Sequence, residues 1–200
     1  MGAFVEHPKY GRGVRTTPLI VKLDSQTRLF GDFTFPSVIS DVMVRRVVGE
    51  ELLRTGFLGF DLGPVQLQAK PGKVSRNVAL EELSGEFAEI LIKKIIPLEK
   101  TKSIFTTESS MGKTYFKMPG VAHFESDNWN PEIPHLERIL IPRETGKGFF
   151  IPESALDGCD VMRVSHFEAW SLCTDRFRDF VLKRGYTNVA FLEVGDVVLG

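Results

Sequence analysis

The apolar and polar positions divide the chain into short alternating stretches and two longer amphipathic ones. Leu19 to Leu23 and Arg28 to Phe35 mix β-branched or aromatic residues with polar ones on either side of the turn-like Asp24-Ser25-Gln26, and predict two strands, the second stopped by Pro36. From Val42 the period changes. A short apolar piece leads into a stretch with Val48 and Leu52 four apart, and Gly56 follows where a residue without a Cβ closes a helix cheaply. Phe57 to Leu62 then reads as a strand, which makes a strand-helix-strand unit ending at Val65. Phe87 to Ile96 predicts a long strand ended by Pro97. Ile139 to Ile141 and Gly148 to Ile151 predict short strands about a turn at Gly146, whereas Gly112, Pro119, Gly120, Pro131 and Pro134 keep residues 101–137 from any long element.

The C-terminal region repeats the earlier unit. Leu52-Leu53-Arg54-Thr55-Gly56-Phe57 lies over Val181-Leu182-Lys183-Arg184-Gly185-Tyr186, and the same offset brings Phe60, Leu62 and Val65 over Val189, Phe191 and Val194. In this second copy Thr174 can cap a helix with Asp175 in its first turn. Phe177, Phe180 and Val181 form its stripe, Lys183 and Arg184 suit its C-terminal dipole, and Gly185 closes it. The fold class expected is α+β: two strand-helix-strand units packed with antiparallel strands in a mixed sheet. Residues 1–16, with Pro8, Gly11 and Gly13 among charges, read as a loose N-terminal arm. Residues 17–200 read as one domain, with 17–69 and 86–200 as candidate related halves and 70–85 as their connection.

Composition narrows the partners. The 25 basic and 26 acidic side chains of the 200 residues nearly cancel, so no global field draws the protein to nucleic acid or to an anionic membrane, and neither is an expected partner. No run reaches the ~18 to 20 apolar residues of a membrane span; Ile90 to Ile96 is broken by Lys93 and Lys94. The start, Met1 to Pro8, lacks a basic then apolar leader, and Glu6 stands where a myristoylation signal has Ser or Thr. Cys159 and Cys173 are too few for a disulfide framework. A cytoplasmic location is the simplest expectation.

Catalytic patterns are weak. Thr107 to Thr114 ends like a phosphate-binding loop, but Thr107 replaces the first glycine and Tyr115-Phe116-Lys117-Met118-Pro119 is a poor start for the required helix. Cys159 or Cys173 with His166 could form a nucleophilic pair, yet Cys173 sits in a stretch that reads as a buried strand. His7, His123, His135 and His166 have no metal-type spacing, and Glu50-Glu51 and Glu81-Glu82 lie in surface-like contexts, so no metal or cofactor is expected. The segment from Met118 to Glu137 differs. It holds Glu125, Asp127, Glu132 and Glu137, no Lys or Arg, and interleaves Phe124 and Trp129. An aromatic anchor inside an acidic rim suits a binder of a basic protein surface, and Phe124, Glu125, Asp127, Trp129 and Glu132 are the candidate contact residues. An ordinary solvated loop with Trp129 in the core is the plainer alternative.

Leu156-Asp157-Gly158-Cys159-Asp160-Val161-Met162-Arg163-Val164, then Leu172-Cys173-Thr174-Asp175-Arg176-Phe177 and Gly185-Tyr186-Thr187-Asn188-Val189-Ala190-Phe191, resemble the C-terminal signature of certain bacterial polymorphic-toxin immunity proteins, the group that includes the myxobacterial double-CxxCG paralogues. Leu53 to Val65 looks like the family's first-half counterpart. The chain departs from the family in having no CxxCG, so the metal site that motif suggests does not carry over. The resemblance implies toxin neutralisation by binding and transfers no catalytic residue. The expectation is therefore a non-enzymatic immunity protein whose partner is a cognate toxin domain, with no cofactor. An enzyme using Cys159 or His166, and a ligand-sensing or structural module, are the alternatives.

Overall fold

The computed structural model describes residues 4–5, 14–15, 18–23, 30–36, 41–69, 80–110, 113–126, 138–167 and 170–199. In chain order the elements begin with β1 (Phe4–Val5), β2 (Val14–Arg15), β3 (Leu19–Leu23), β4 (Phe33–Thr34), β5 (Met43–Arg45), α1 (Arg46–Arg54), β6 (Phe60–Ala69) and α2 (Leu80–Gly85). There follow β7 (Phe87–Ile92), β8 (Ile95–Ile96), β9 (Thr106–Ser110), β10 (Lys113–Lys117), β11 (His123–Ser126) and β12 (Arg138–Ile141). The last are β13 (Phe149–Pro152), α3 (Glu153–Leu156), β14 (Val161–Val164), β15 (Leu172–Cys173), α4 (Asp175–Arg184) and β16 (Gly195–Val198). These elements make an α+β protein with mixed sheets.

The chain forms two compact units. The first takes Met1–Ile95, Gly158–Val164 and Glu168–Val189; the second takes Ile96–Asp157, Ser165–Phe167 and Ala190–Gly200. Neither coincides with residues 17–69 or 86–200. Of the expected connection, 70–85, the described residues are Leu80–Gly85, which form α2 in the first unit, and the chain passes to the second unit after Ile95.

The first unit is built on a five-stranded sheet in the order β3-β6-β7-β5-β4. β3 runs parallel to β6; the other neighbours are antiparallel, with Leu19 opposite Val65, Pro64 opposite Ala88 and Met43 opposite Glu89. Pairing with β3 begins one residue past Pro64, which has no N–H to give a ladder. Leu19, Val21, Met43, Val65, Leu67 and Phe87 form one core cluster, with Leu80 and Leu83 of α2 packed against it. Four consecutive residues of β7, Phe87 to Ile90, are buried, as a central strand covered on both faces requires.

β5, α1 and β6 follow one another along the chain where a strand-helix-strand unit is expected, but β5 and β6 are not neighbours, because β7 lies between them. Val48 and Leu52 face inward from α1 as their spacing predicts. Thr55 is the helix cap and Gly56, at φ +83, takes the left-handed turn just after it. The strand starts at Phe60 rather than Phe57, because Gly59, at φ +103, turns the chain first. A Cβ at Gly59 would collide with the Val161 carbonyl and the Cys159 sulfur, so only glycine fits.

The second predicted copy is found only in part. β15 and α4 are present, and Phe177 and Val181 are buried. Residues 186–194 carry no strand, and the next one, Gly195–Val198, belongs to the other unit. Thr187 and Asn188 instead run along the edge strand β4. The Phe33 N–H donates to the Thr187 carbonyl (3.2 Å), and the Asn188 side-chain amide donates to the Phe33 carbonyl (2.8 Å). Arg28 to Phe35 was expected to be a strand; of it only Phe33–Thr34 is one among the described residues, at the edge opposite β3.

Among the described residues the second unit has three two-stranded ribbons, the short helix α3 and a small core. β9 and β10 form an antiparallel hairpin, β11 and β12 an antiparallel ribbon, and β13 and β16 a parallel pair with Phe149 opposite Gly195. Phe149, Phe150, Ile151, Ile96, Leu98, Val121, Ala122 and Phe167 are buried. The hairpin corrects the expectation that 101–137 is irregular: Thr106 to Ser110 is strand without any apolar alternation. It also removes the phosphate-loop pattern, since Lys113 lies opposite Ser110 across the hairpin and opens no helix.

Candidate functional site

Most of the residues carrying the family resemblance belong to the first unit, around Asp160; Leu156, Asp157, Ala190 and Phe191 belong to the second. This carboxylate is only 4% exposed. It receives both arms of Arg176 (2.9 and 2.6 Å), the Thr174 hydroxyl (3.0 Å) and the Leu58 N–H (3.1 Å). Burial pushes the Asp160 carboxyl pKa up, but Arg176, Leu58 and Thr174 together outweigh it and hold the group below the usual range. Arg176 also donates to the Gly56 carbonyl (3.1 Å), and its guanidinium lies over the Phe57 ring, 4.6 Å from the centroid. Phe57 meets Phe177 and Phe180 edge-on at 5.1 and 5.2 Å. Thr174 does stand at the N-cap of α4, but its hydroxyl is committed to Asp160 and not to the helix.

A second tie joins α1 to the end of α4. Glu51 pairs with Arg184 and accepts from the Tyr186 hydroxyl (2.6 Å). Burial and the Glu51 carboxylate raise the Tyr186 pKa to about 12. Asp32 accepts from the Thr187 N–H (2.8 Å) and hydroxyl (2.9 Å). Every one of these groups is turned to another part of the same unit, so the motif is architecture: it docks α4 on the sheet.

The candidate contact residues belong to the second unit. Phe124 and Glu125 are on β11, opposite Leu140 and Ile139 of β12; Asp127, Trp129 and Glu132 lie outside the described residues, as do the side chains of Phe124 and Glu125. Ser126 and Arg138 face each other across the ribbon, so 127–137 is the stretch of chain joining its two strands. Successive residues of a strand point to opposite faces. Ile139 and Leu140 are 51% and 52% exposed, so the ribbon offers an aliphatic side chain on both faces.

The base of this ribbon is fixed. Two residues past β12, the Arg143 side chain is only 5% exposed. It donates to Glu193 (2.9 Å), to both carboxylate oxygens of Asp196, one of them at 2.9 Å, and to the Lys147 carbonyl (2.6 Å). The Asp196 hydrogen bonds raise the Arg143 pKa, and Arg143 in turn holds the Asp196 carboxyl below its usual value. At the other strand's foot the Ala122 N–H donates to the Glu193 carbonyl (3.0 Å), and Gly120 accepts from the Glu144 N–H (2.8 Å). Sequence reasoning missed Arg143, because its partners lie 50 and 53 residues away.

The Cys-His pattern gains nothing from the fold. Cys159 is buried beside Gly59, its thiol donating to the Val161 carbonyl (3.0 Å). Burial raises the Cys173 thiol pKa to about 12, the reverse of what a nucleophile needs. His166 belongs to the other unit. Among the described residues no three His, Cys, Asp or Glu side chains gather as a metal site, and no helix is long and apolar enough to cross a membrane. Comparison of the sequence with protein-family models and with curated proteins finds no match.

Proposed function

We propose that the protein is an immunity protein, which binds one cognate bacterial toxin domain in the cytoplasm of the producing cell and occludes the toxin's active site. It performs no chemistry and uses no cofactor. The observation that carries this reading is the β11–β12 ribbon: its base is held by Arg143, Ile139 and Leu140 stand half-exposed on opposite faces, and its strands are joined by the segment bearing Asp127, Trp129 and Glu132. Apolar anchors within an acidic rim favour a basic protein surface, with the anchors supplying most of the affinity and the carboxylates the approach. The likeness of the Asp160, Arg176 and Thr187 motifs to the immunity group supports it from a second direction.

Co-expression in bacteria with the toxin domain encoded beside this chain tests the reading. Survival of the cells, with a complex that co-purifies, is the expected outcome. Continued toxicity when both proteins are folded would refute it.

A further inference from the structure

The second unit carries two ribbons of opposite chemistry. Residues 100–117, which hold the β9–β10 hairpin, contain Lys100, Lys102, Lys113 and Lys117 against Glu108 alone. Residues 118–137 contain four acids and no Lys or Arg. Glu99, just before the basic stretch, accepts from the Thr101 N–H (3.1 Å) and hydroxyl (2.8 Å), which together with the charge of Lys102 hold its carboxyl below the usual value.

The basic stretch has an apolar centre on a firm foundation. Ser103 is buried; its hydroxyl oxygen accepts from the Phe150 N–H (3.0 Å), and its own N–H donates to the Glu99 carbonyl (2.8 Å). The next residue, Ile104, is 73% exposed. Phe116, 36% exposed, lies 4.9 Å from the ring of His166 and 5.6 Å from that of Phe105. His166 is itself exposed and holds φ +70, a left-handed conformation that costs a residue with a Cβ. Below, Phe105 meets Phe167 at 5.8 Å, and Phe167 meets the fully buried Phe149 at 5.0 Å. Lys102 stands two residues before Ile104 and Lys117 next to Phe116 in the sequence, so a segment that combines apolar and acidic side chains suits this stretch.

The acidic segment of this same chain has that composition, with Phe124, Trp129 and Ile133 among Glu125, Asp127, Glu132 and Glu137. Among the described residues β9–β10 and β11–β12 pair only within themselves; Phe116 already packs β9–β10 against Phe105 and Phe167, and a two-stranded ribbon gains further from being covered on its open side. We propose that copies of this chain associate head to tail, with the acidic aromatic segment of one copy seated on the Ile104, Phe116 and His166 patch of the next and Lys100 and Lys102 at the rim. This goes beyond the immunity reading. Such a contact uses two different surfaces, so it builds rings or open chains rather than stopping at a twofold dimer.

The full chain alone provides the test. Sedimentation velocity over about 1–100 µM should show average mass rising with concentration at about 50 mM salt, and monomer throughout at about 500 mM, where charges are screened within a few Å. The Lys100→Glu/Lys102→Glu protein, the Asp127→Lys/Glu132→Lys protein and the Ile104→Ser protein should each weaken association at least about tenfold, as expected when one partner of a charged or apolar contact is removed. Mixing the two charge-reversed proteins should restore it, since each then offers the sign the other lacks. Monomer at every concentration in low salt, or association that survives these changes, overturns the proposal. A monomer that binds labelled oligothymidylate through Lys100 and Lys102 would overturn it too, and assign the patch to single-stranded nucleic acid.

Discussion

The surroundings of Asp160 and the β11–β12 ribbon use similar materials, acids and aromatic rings beside an arginine, to opposite ends. In the first unit Asp160 is buried and receives four hydrogen bonds, and Phe57 is enclosed by Arg176, Phe177 and Phe180. In the second, the arginine is at the foot and the apolar side chains point outward: Arg143 is buried while Ile139 and Leu140 stand half in solvent. Groups satisfied inward hold a fold, whereas apolar groups left outward on a fixed base have contact free energy still to give. The residues most recognisable as a motif are therefore the structural ones.

Removing the inward set should cost most. Asp160→Ala strands the Leu58 N–H and separates α4 from the Gly56–Gly59 turn, and should lower unfolding free energy by about 1–3 kcal/mol in urea titrations, the loss expected for unsatisfied buried hydrogen-bond groups, since the Arg176 left behind is more than half exposed. The same carboxylate predicts an acid limit. Its folded pKa lies below the unfolded value, so its stabilisation is complete above the ordinary carboxylate pKa and is lost as pH falls through the folded one, below about pH 4. Asp160→Asn should flatten the stability profile in that window, and an unchanged slope would assign acid unfolding to other carboxylates.

Smaller effects should fall on the outward set and separate binding from folding. Trp129→Ala should weaken toxin binding by about 2 kcal/mol in calorimetry with little change in stability; unfolding instead would place Trp129 in the core. Arg143→Ala, which frees the ribbon's base while leaving Glu193 and Asp196 in solvent, should cost about 1–2 kcal/mol of stability. Hydrogen exchange at Ala122 and Glu144 should quicken with it. Ile139→Ser should be smallest, at about 1 kcal/mol or less of binding and nothing measurable in stability, because the side chain is already half exposed.

Local pattern made some of this visible in advance. β3 alternates buried and exposed residues, α1 turns Val48 and Leu52 inward, and α4 keeps its buried stripe and closing Gly185. The α+β class followed from these. What escaped depended on distant chain. Nothing near Thr106 signals a strand, because its partner is the Lys-rich β10 rather than an apolar face. The insertion of β7 between β5 and β6 is decided by pairing across the whole sheet. The acidic aromatic segment stood out by composition, but that Glu125 and Ile139 would be opposite residues of a ribbon anchored through Arg143 could not be read from either stretch alone.

The bond between Leu58 and Asp160 spans 102 residues. A ribosome adding roughly 5–20 residues per second needs about 5–20 s to make the partner that Leu58 requires. Throughout that interval the Phe57 ring has neither Arg176 nor Phe177 to cover it, and by its end every strand of the second unit's ribbons but β16 has been synthesised. The first unit is thus begun first and finished late, and nascent chains stalled before residue 160 should be cut by protease at the Gly56–Gly59 turn that the finished protein protects.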